Sequence, residues 1–183
     1  MDQEQLHLKK VVIIGPESTG KSTLCNSLAS YYKTNWCPEY AREYLLTNGK
    51  NYSYEDLLHI AKGQLIVEDD YVSKTNNPSS ILFIDTDLYV MKVWCEYVFA
   101  KCHHFILDGI AERKYDLYLL CNTDLPWIAD ELREYPDEKY RNELYHMYKD
   151  ILINQQTPWA EIKGSYKERL NTAINAVNNL LQH

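Results

Sequence analysis

Short apolar runs alternate along the chain with longer stretches in which apolar residues recur every three or four positions. Val11-Val12-Ile13-Ile14, Ile81-Leu82-Phe83-Ile84-Asp85 and Tyr115–Cys121 are runs of buried-strand length, rich in branched or aromatic residues. Asn35–Glu39 predicts a shorter second strand closed by Pro38, which has no N–H to give to a ladder. Pro158–Ile162 predicts a short last one. Between them the period changes to that of a helix. Leu24 and Leu28, with Tyr31 and Tyr32 a turn on, predict the first helix, and Glu39–Leu46 a polar second one ended by Asn48-Gly49. Ser53 and Asp56 form a capping-box pattern that opens a long helix, with Leu57, Leu58, Ala61, Leu65 and Ile66 as its core face and Asn76–Ser79 as its break. Leu88, Met91, Val93, Trp94 and Val98 predict a further helix, whereas Phe105–Asp108 fits helix or loop. Lys139–Ile153 carries a stripe of Leu144, Met147, Tyr148 and Ile151. A second capping box, Ser165 with Glu168, opens an amphipathic terminal helix through Leu170, Ala173, Ile174, Val177, Leu180 and Leu181. Strands alternating with helices predict an α/β fold: a parallel sheet of about five strands with helices on both faces, built as a single domain over residues 1–183.

One junction in this pattern carries chemistry. Gly15-Pro16-Glu17-Ser18-Thr19-Gly20-Lys21-Ser22 matches G-x-x-x-x-G-K-[ST] between the first strand and the first helix, the context in which that pattern is a phosphate-binding P-loop. Consecutive backbone N–H groups wrap the phosphates, and glycine permits backbone angles and approaches that a Cβ would obstruct. The positive end of the following helix adds to the field. Gly15, Glu17, Ser18, Thr19, Gly20, Lys21, Ser22 and Thr23 are therefore the candidate nucleotide-binding residues. Lys21 suits the β- and γ-phosphates, and the Ser22 hydroxyl suits Mg²⁺. Asp85, ending the second long strand, is the matching Mg²⁺ residue, its structural alternative being a helix N-cap.

Charge narrows the partners. Twenty-six acidic against 19 basic residues give a net charge of −7, so no basic footprint for nucleic acid is present. Five cysteines without a C-x-x-C pair predict a reduced, cytoplasmic protein. Cys95, Cys102, His103 and His104 do not have usual zinc spacing. Met1–Lys10 lacks an apolar signal region, and no run of 18 apolar residues predicts a membrane span. Sixteen tyrosines against three phenylalanines leave many half-buried rings carrying a hydroxyl, as in pocket walls or amphipathic faces. No N-K-x-D motif supports a GTPase. Asn122–Asp137, polar and broken by Pro126 and Pro136, predicts a lid after a core strand. Size and an arginine-bearing lid favour a small-molecule kinase.

Several blocks together resemble the ribosylnicotinamide kinase domain of the NadR family, over nearly the whole chain. They are Gly15–Leu24, Pro38–Tyr44, Asp85-Thr86-Asp87, Asn122–Trp127 and Gly164-Ser165-Tyr166 with Arg169. The resemblance implies a P-loop kinase of the nucleoside and nucleotide kinase type. It would use ATP and Mg²⁺ to phosphorylate the 5′-hydroxyl of nicotinamide riboside, giving nicotinamide mononucleotide. NadR proteins can also carry an adenylyltransferase domain with an H-x-G-H motif and a DNA-binding region. The six histidines here never form that motif, so the expectation is kinase activity alone, without a repressor function.

On the acceptor side, Glu39 is the candidate to take the hydroxyl proton, or else a helix-start residue favoured by the dipole. Asp85 and Asp87 are the competing carboxylates. Asp87 is a ribose ligand or an N-cap. Arg42 contacts the ribose or phosphate, or pairs with Glu39 or Glu43. Arg133, with Arg141 as its competitor, is the lid arginine that closes over the phosphoryl group. A pyridinium cation rewards an aromatic slot, for which Tyr40 and Trp127 are the first candidates, and the Tyr166 and Arg169 end is a wall on the adenine side or just the start of the terminal helix. Two other readings share these residues: a deoxynucleoside or nucleotide kinase, and a regulatory module that binds ATP without transferring phosphate.

Overall fold

The computed structural model describes residues 8–75 and 81–182. The expected break at Asn76–Ser79 lies outside them. Among the described residues, five strands alternate with seven helices: β1 (Lys9–Ile14), α1 (Lys21–Tyr32), β2 (Trp36–Cys37), α2 (Tyr40–Asn48), α3 (Tyr54–Lys74), β3 (Ile81–Asp85), α4 (Leu88–Phe99), α5 (His104–Glu112), β4 (Leu117–Cys121), α6 (Glu138–Ile153), β5 (Trp159–Ile162) and α7 (Tyr166–Leu181). Every pairing is parallel, in the order β2-β3-β1-β4-β5. β1 is central, with Val12 opposite Ile84 on one side and Tyr118 on the other.

The strand period of two divides the core. Val11 and Ile13 pack with Leu24, Leu28, Ala173 and Val177 of α1 and α7. Val12 and Ile14 face Val90, Val93, Leu144 and Leu152 of α4 and α6. These four apolar side chains of β1 are fully buried, each contributing about 1.5–3 kcal/mol by leaving water. A third cluster, with Ala41, Leu57, Ile60, Met91 and Ile106, joins α2, α3, α4 and α5 beside the sheet.

Both capping boxes form as expected. The core face of α3 differs in part. It runs through Leu57, Ile60, Ala61, Gln64 and Glu68, while Ile66 is 70% exposed. Ile66 follows Leu57 by about two and a half helical turns, which puts it on the opposite face. The ambiguous Phe105–Asp108 is helical within α5, and β2 is shorter than its sequence predicts. Residues 122–137 contain no helix or strand. The chain therefore has a P-loop kinase fold, with β1 ending at the crevice between β3 and β4, where the connection after β1 runs to β2 on one side and that after β3 crosses to β4 on the other.

Candidate active site

The loop after β1 is shaped by its neighbours. Gly15 takes φ +142°, and a Cβ there would lie 2.7 Å from the Cys121 carbonyl oxygen, so only glycine lets the loop pass β4. Gly20, at φ +78°, starts α1. The Thr19 hydroxyl and the Lys21 ammonium both donate to the Pro16 carbonyl, at 2.7 and 2.8 Å, and tie the turn across itself. From behind, Arg169 of α7 donates to the carbonyls of Thr19, Asn122 and Gly164, each at 2.9 Å, and pairs with Asp124. Arg169 is only 2% exposed. Sequence spacing gave it no role beyond the adenine side, because its partners lie far away in the chain.

Ser22 donates to Asp85 Oδ2. Asp85 is 1% exposed, and its Oδ1 is buried without a hydrogen-bond partner among the described residues. Burial raises its pKa, opposed by Lys21 and by the Ser22 hydrogen bond. A buried carboxylate oxygen left over beside a hydroxyl and a phosphate loop suits a hard divalent cation that takes its remaining ligands from phosphate and water. The donor set fits Mg²⁺.

Glu39 ends the β2 segment at the N-cap of α2 without bonding the helix itself. Burial pushes its carboxyl up to about 7, repulsion from Asp85 adds to this, and Lys21 and Arg42 oppose it. Asp85, Lys21 and Arg42 thus all act on Glu39, and that carboxyl is held near the poise of a neutral-pH base.

Above the P-loop lies a cavity of about 260 Å³. Residues 15–23 and Glu39 line one side, and Arg42, Arg133 and Glu134 the other. Its apolar wall comes from α4 (Val90, Trp94, Tyr97), α6 (Leu144, Tyr148) and Tyr135. Each helix offers residues three or four apart, so one stripe faces the cavity. Spacing cannot distinguish such a stripe from core, and no sequence signal singled out Trp94, Tyr97 or Tyr135 as pocket walls.

The expected acceptor-side residues are only partly assembled. Arg42 makes a forked pair with Asp130 at 3.1 and 3.2 Å. Arg133 lines the cavity and donates to the Ile128 carbonyl. Arg141 is 5% exposed, on the Leu125 carbonyl, and is not among the lining residues. Tyr40 does not line this cavity, because its ring occupies the space a side chain at Gly63 would fill. Trp127 bonds Glu17 through Nε1. The Glu17 carboxylate faces residues 127–135 rather than the hollow of its own loop. Asp87 is the N-cap of α4, accepting from the Tyr89 N–H at 3.0 Å and the Tyr118 hydroxyl at 2.7 Å. It lines a separate cavity with Tyr89, Tyr115 and Arg113. Tyr166 is 55% exposed, and its ring lies 3.4 Å from the Cβ position of Gly20, consistent with an outer wall beside the loop.

Comparison with known proteins places this geometry among relatives. Residues 10–169 match the AAA_28 family model, described as an AAA domain. The chain is homologous to the trifunctional NAD biosynthesis/regulator protein NadR of Escherichia coli strain K12, with 29% identity over 179 residues. That match covers 95% of this chain and 43% of the relative, so the chain spans less than half the length of that protein. A crystal structure of NadR in complex with NR superposes with a TM-score of 0.81 at 26% identity, covering 96% of this chain and 50% of the other. Thymidylate kinase from Ehrlichia chaffeensis gives a TM-score of 0.68 at 14% identity, covering 95% and 99%, a likeness of fold alone. Among the described residues, no helix is long and apolar enough to cross a membrane.

Proposed function

The chain belongs to the AAA-domain family that its residues 10–169 match, and from that premise we propose that it is a nicotinamide riboside kinase. The reaction moves the γ-phosphoryl group of ATP to the riboside 5′-hydroxyl, and residues 1–183 act as one kinase unit. The observation that carries the reading is the meeting of three groups at one cavity. They are a P-loop with Ser22 and Asp85, the raised carboxyl of Glu39, and a wall of Trp94, Tyr97, Tyr135 and Tyr148. Homology to NadR, one structure of which is a complex with NR, supports the choice of acceptor.

Phosphoryl transfer needs positioning and charge neutralisation more than covalent chemistry. The backbone of residues 15–23 receives the phosphates. Lys21 exchanges the Pro16 carbonyl for a phosphate oxygen. Ser22 and Asp85 would hold Mg²⁺, which would supply charge neutralisation to the bound phosphates. Glu39 accepts the 5′-hydroxyl proton as the new P–O bond forms, and the leaving electron pair passes to ADP. Arg133, in the cavity and bonded to the Ile128 carbonyl, supplies positive charge to the transferring group. The aromatic wall, with Glu134 on its rim, suits the pyridinium ring. All five cysteines are free, four of them buried, which supports the reducing cytoplasm as the setting.

ADP release should be measured with nicotinamide riboside, deoxynucleosides and deoxynucleoside monophosphates in turn. The riboside is expected to raise the rate at least about tenfold over ATP alone. Stimulation by the deoxy compounds only would replace this reading with a nucleotide-type kinase. ATP binding with no stimulation at all would leave a regulatory module.

A further inference from the structure

The acid inside the phosphate loop is unexpected, because a carboxylate beside a polyphosphate is repelled by it. Glu17 is turned to another use. Its Oε1 accepts from Trp127 Nε1 at 3.1 Å and from the Tyr135 N–H at 2.7 Å, and its Oε2 accepts from the Glu134 N–H at 2.9 Å. The next residue, Ser18, accepts from the Ile128 N–H at 2.9 Å, with its own backbone in the left-handed region at φ 58°. Both ends of the segment 127–135 are therefore fastened to two neighbouring residues of the phosphate loop. Its middle is fastened to α2 through Asp130 and Arg42.

We propose that Glu17 is a positioning residue. Its carboxylate clasps the segment 127–135 closed over the phosphate loop, so that ATP is spent on the acceptor rather than on water. The inference rests on the kinase reading above. All three groups facing the carboxylate are donors, so each needs an acceptor oxygen. Glutamine, of the same size, presents one oxygen and one NH₂ group, and in either orientation that NH₂ faces a donor. The segment so held contributes Asp130, Leu132, Arg133, Glu134 and Tyr135 to the cavity wall. Releasing the clasp displaces the acceptor side and admits water, while the phosphate-binding N–H groups stay with the rigid end of β1.

The experiment compares the unmodified chain with Glu17→Gln and Glu17→Asp. It measures ATP Kd, KM for nicotinamide riboside, the ratio of ADP to phosphorylated riboside, and amide hydrogen exchange across 127–135. For Glu17→Gln, ATP Kd is expected to change less than about twofold, while riboside KM rises about tenfold or more and ADP outruns phosphorylated riboside. Exchange in 127–135 should quicken about tenfold while β1 amides keep their protection, which also shows that the variant is folded. Glu17→Asp, which keeps both acceptor oxygens, should recover part of each effect. Unchanged exchange in 127–135, or lost ATP affinity with unchanged riboside KM, overturns the clasp. If the unmodified chain phosphorylates no riboside, the functional reading fails, and the exchange measurement still decides whether the clasp exists.

Discussion

Residues 15–22 and residues 122–137 touch across one cavity, yet they are held by opposite means. The first segment is anchored by what surrounds it in sequence. A strand whose last four residues are buried enters it and a helix leaves it, to which Arg169, distant in sequence, adds a bracket from behind. The second has no regular structure and is held by side chains from elsewhere: Glu17, Ser18, Arg42, and Tyr52, whose hydroxyl bonds Glu134. A P-loop must be rigid because it offers a fixed array of N–H groups to phosphate. A cover that admits an acceptor must be releasable, and a few side-chain contacts can be released without unfolding a core.

Four substitutions break this contrast at different points, with effects ordered from largest to smallest. Lys21→Ala removes the phosphate-facing charge and its hydrogen bond to the Pro16 carbonyl, so transfer should fall about 10³-fold or more while the chain stays folded. A purified variant with near-normal turnover would refute the assignment.

Glu39→Gln removes the proposed base and should lower kcat by about 10²–10⁴-fold. With the carboxyl raised to about 7, kcat/KM of the unmodified enzyme should fall as pH drops below 7. The stability effect has the opposite sense. A carboxyl with a raised folded pKa binds more protons folded than unfolded, so its contribution is favourable at low pH and is lost between about 4.5 and 7. At pH 8, Glu39→Gln should therefore melt about 2–4 °C higher than the parent. A lower melting temperature at pH 8 would contradict the buried, charged state assigned to Glu39.

Arg169→Ala strips the carbonyls of Thr19 and Asn122 of their donor and removes the ionic partner of the exposed Asp124, at a cost of about 1–3 kcal/mol in urea unfolding. The lost bracket should also weaken ATP binding. At the weak end, Arg42→Ala removes a half-exposed pair with Asp130, worth about 0.2–1 kcal/mol. It should raise riboside KM a few-fold and leave ATP Kd alone.

The same contrast explains what the sequence reveals. Gly15–Ser22 is legible because its chemistry requires consecutive N–H groups, and consecutive groups are written side by side. The five strands and, α5 apart, their helices follow from period, down to both capping boxes. Ile66 departs because a run of apolar residues on a long helix need not all lie on its buried stripe. The aromatic wall is drawn from α4, α6 and the irregular segment, which meet only once the sheet has formed. Trp94 and Tyr148 look like ordinary core residues along the chain. Tyr40 and Trp127, conspicuous beside the shared motifs, instead pack on Gly63 and bond Glu17. Asp87 has two compatible roles in sequence, and its cap on α4 with the Tyr118 hydroxyl bond becomes visible only in three dimensions.

The central claim is tested most directly by a single-turnover reaction with excess protein, ATP labelled in the γ-phosphoryl group, Mg²⁺ and nicotinamide riboside. The account predicts that the label moves to nicotinamide mononucleotide in step with ADP. Label appearing only as inorganic phosphate, at a rate the riboside does not alter, would contradict it.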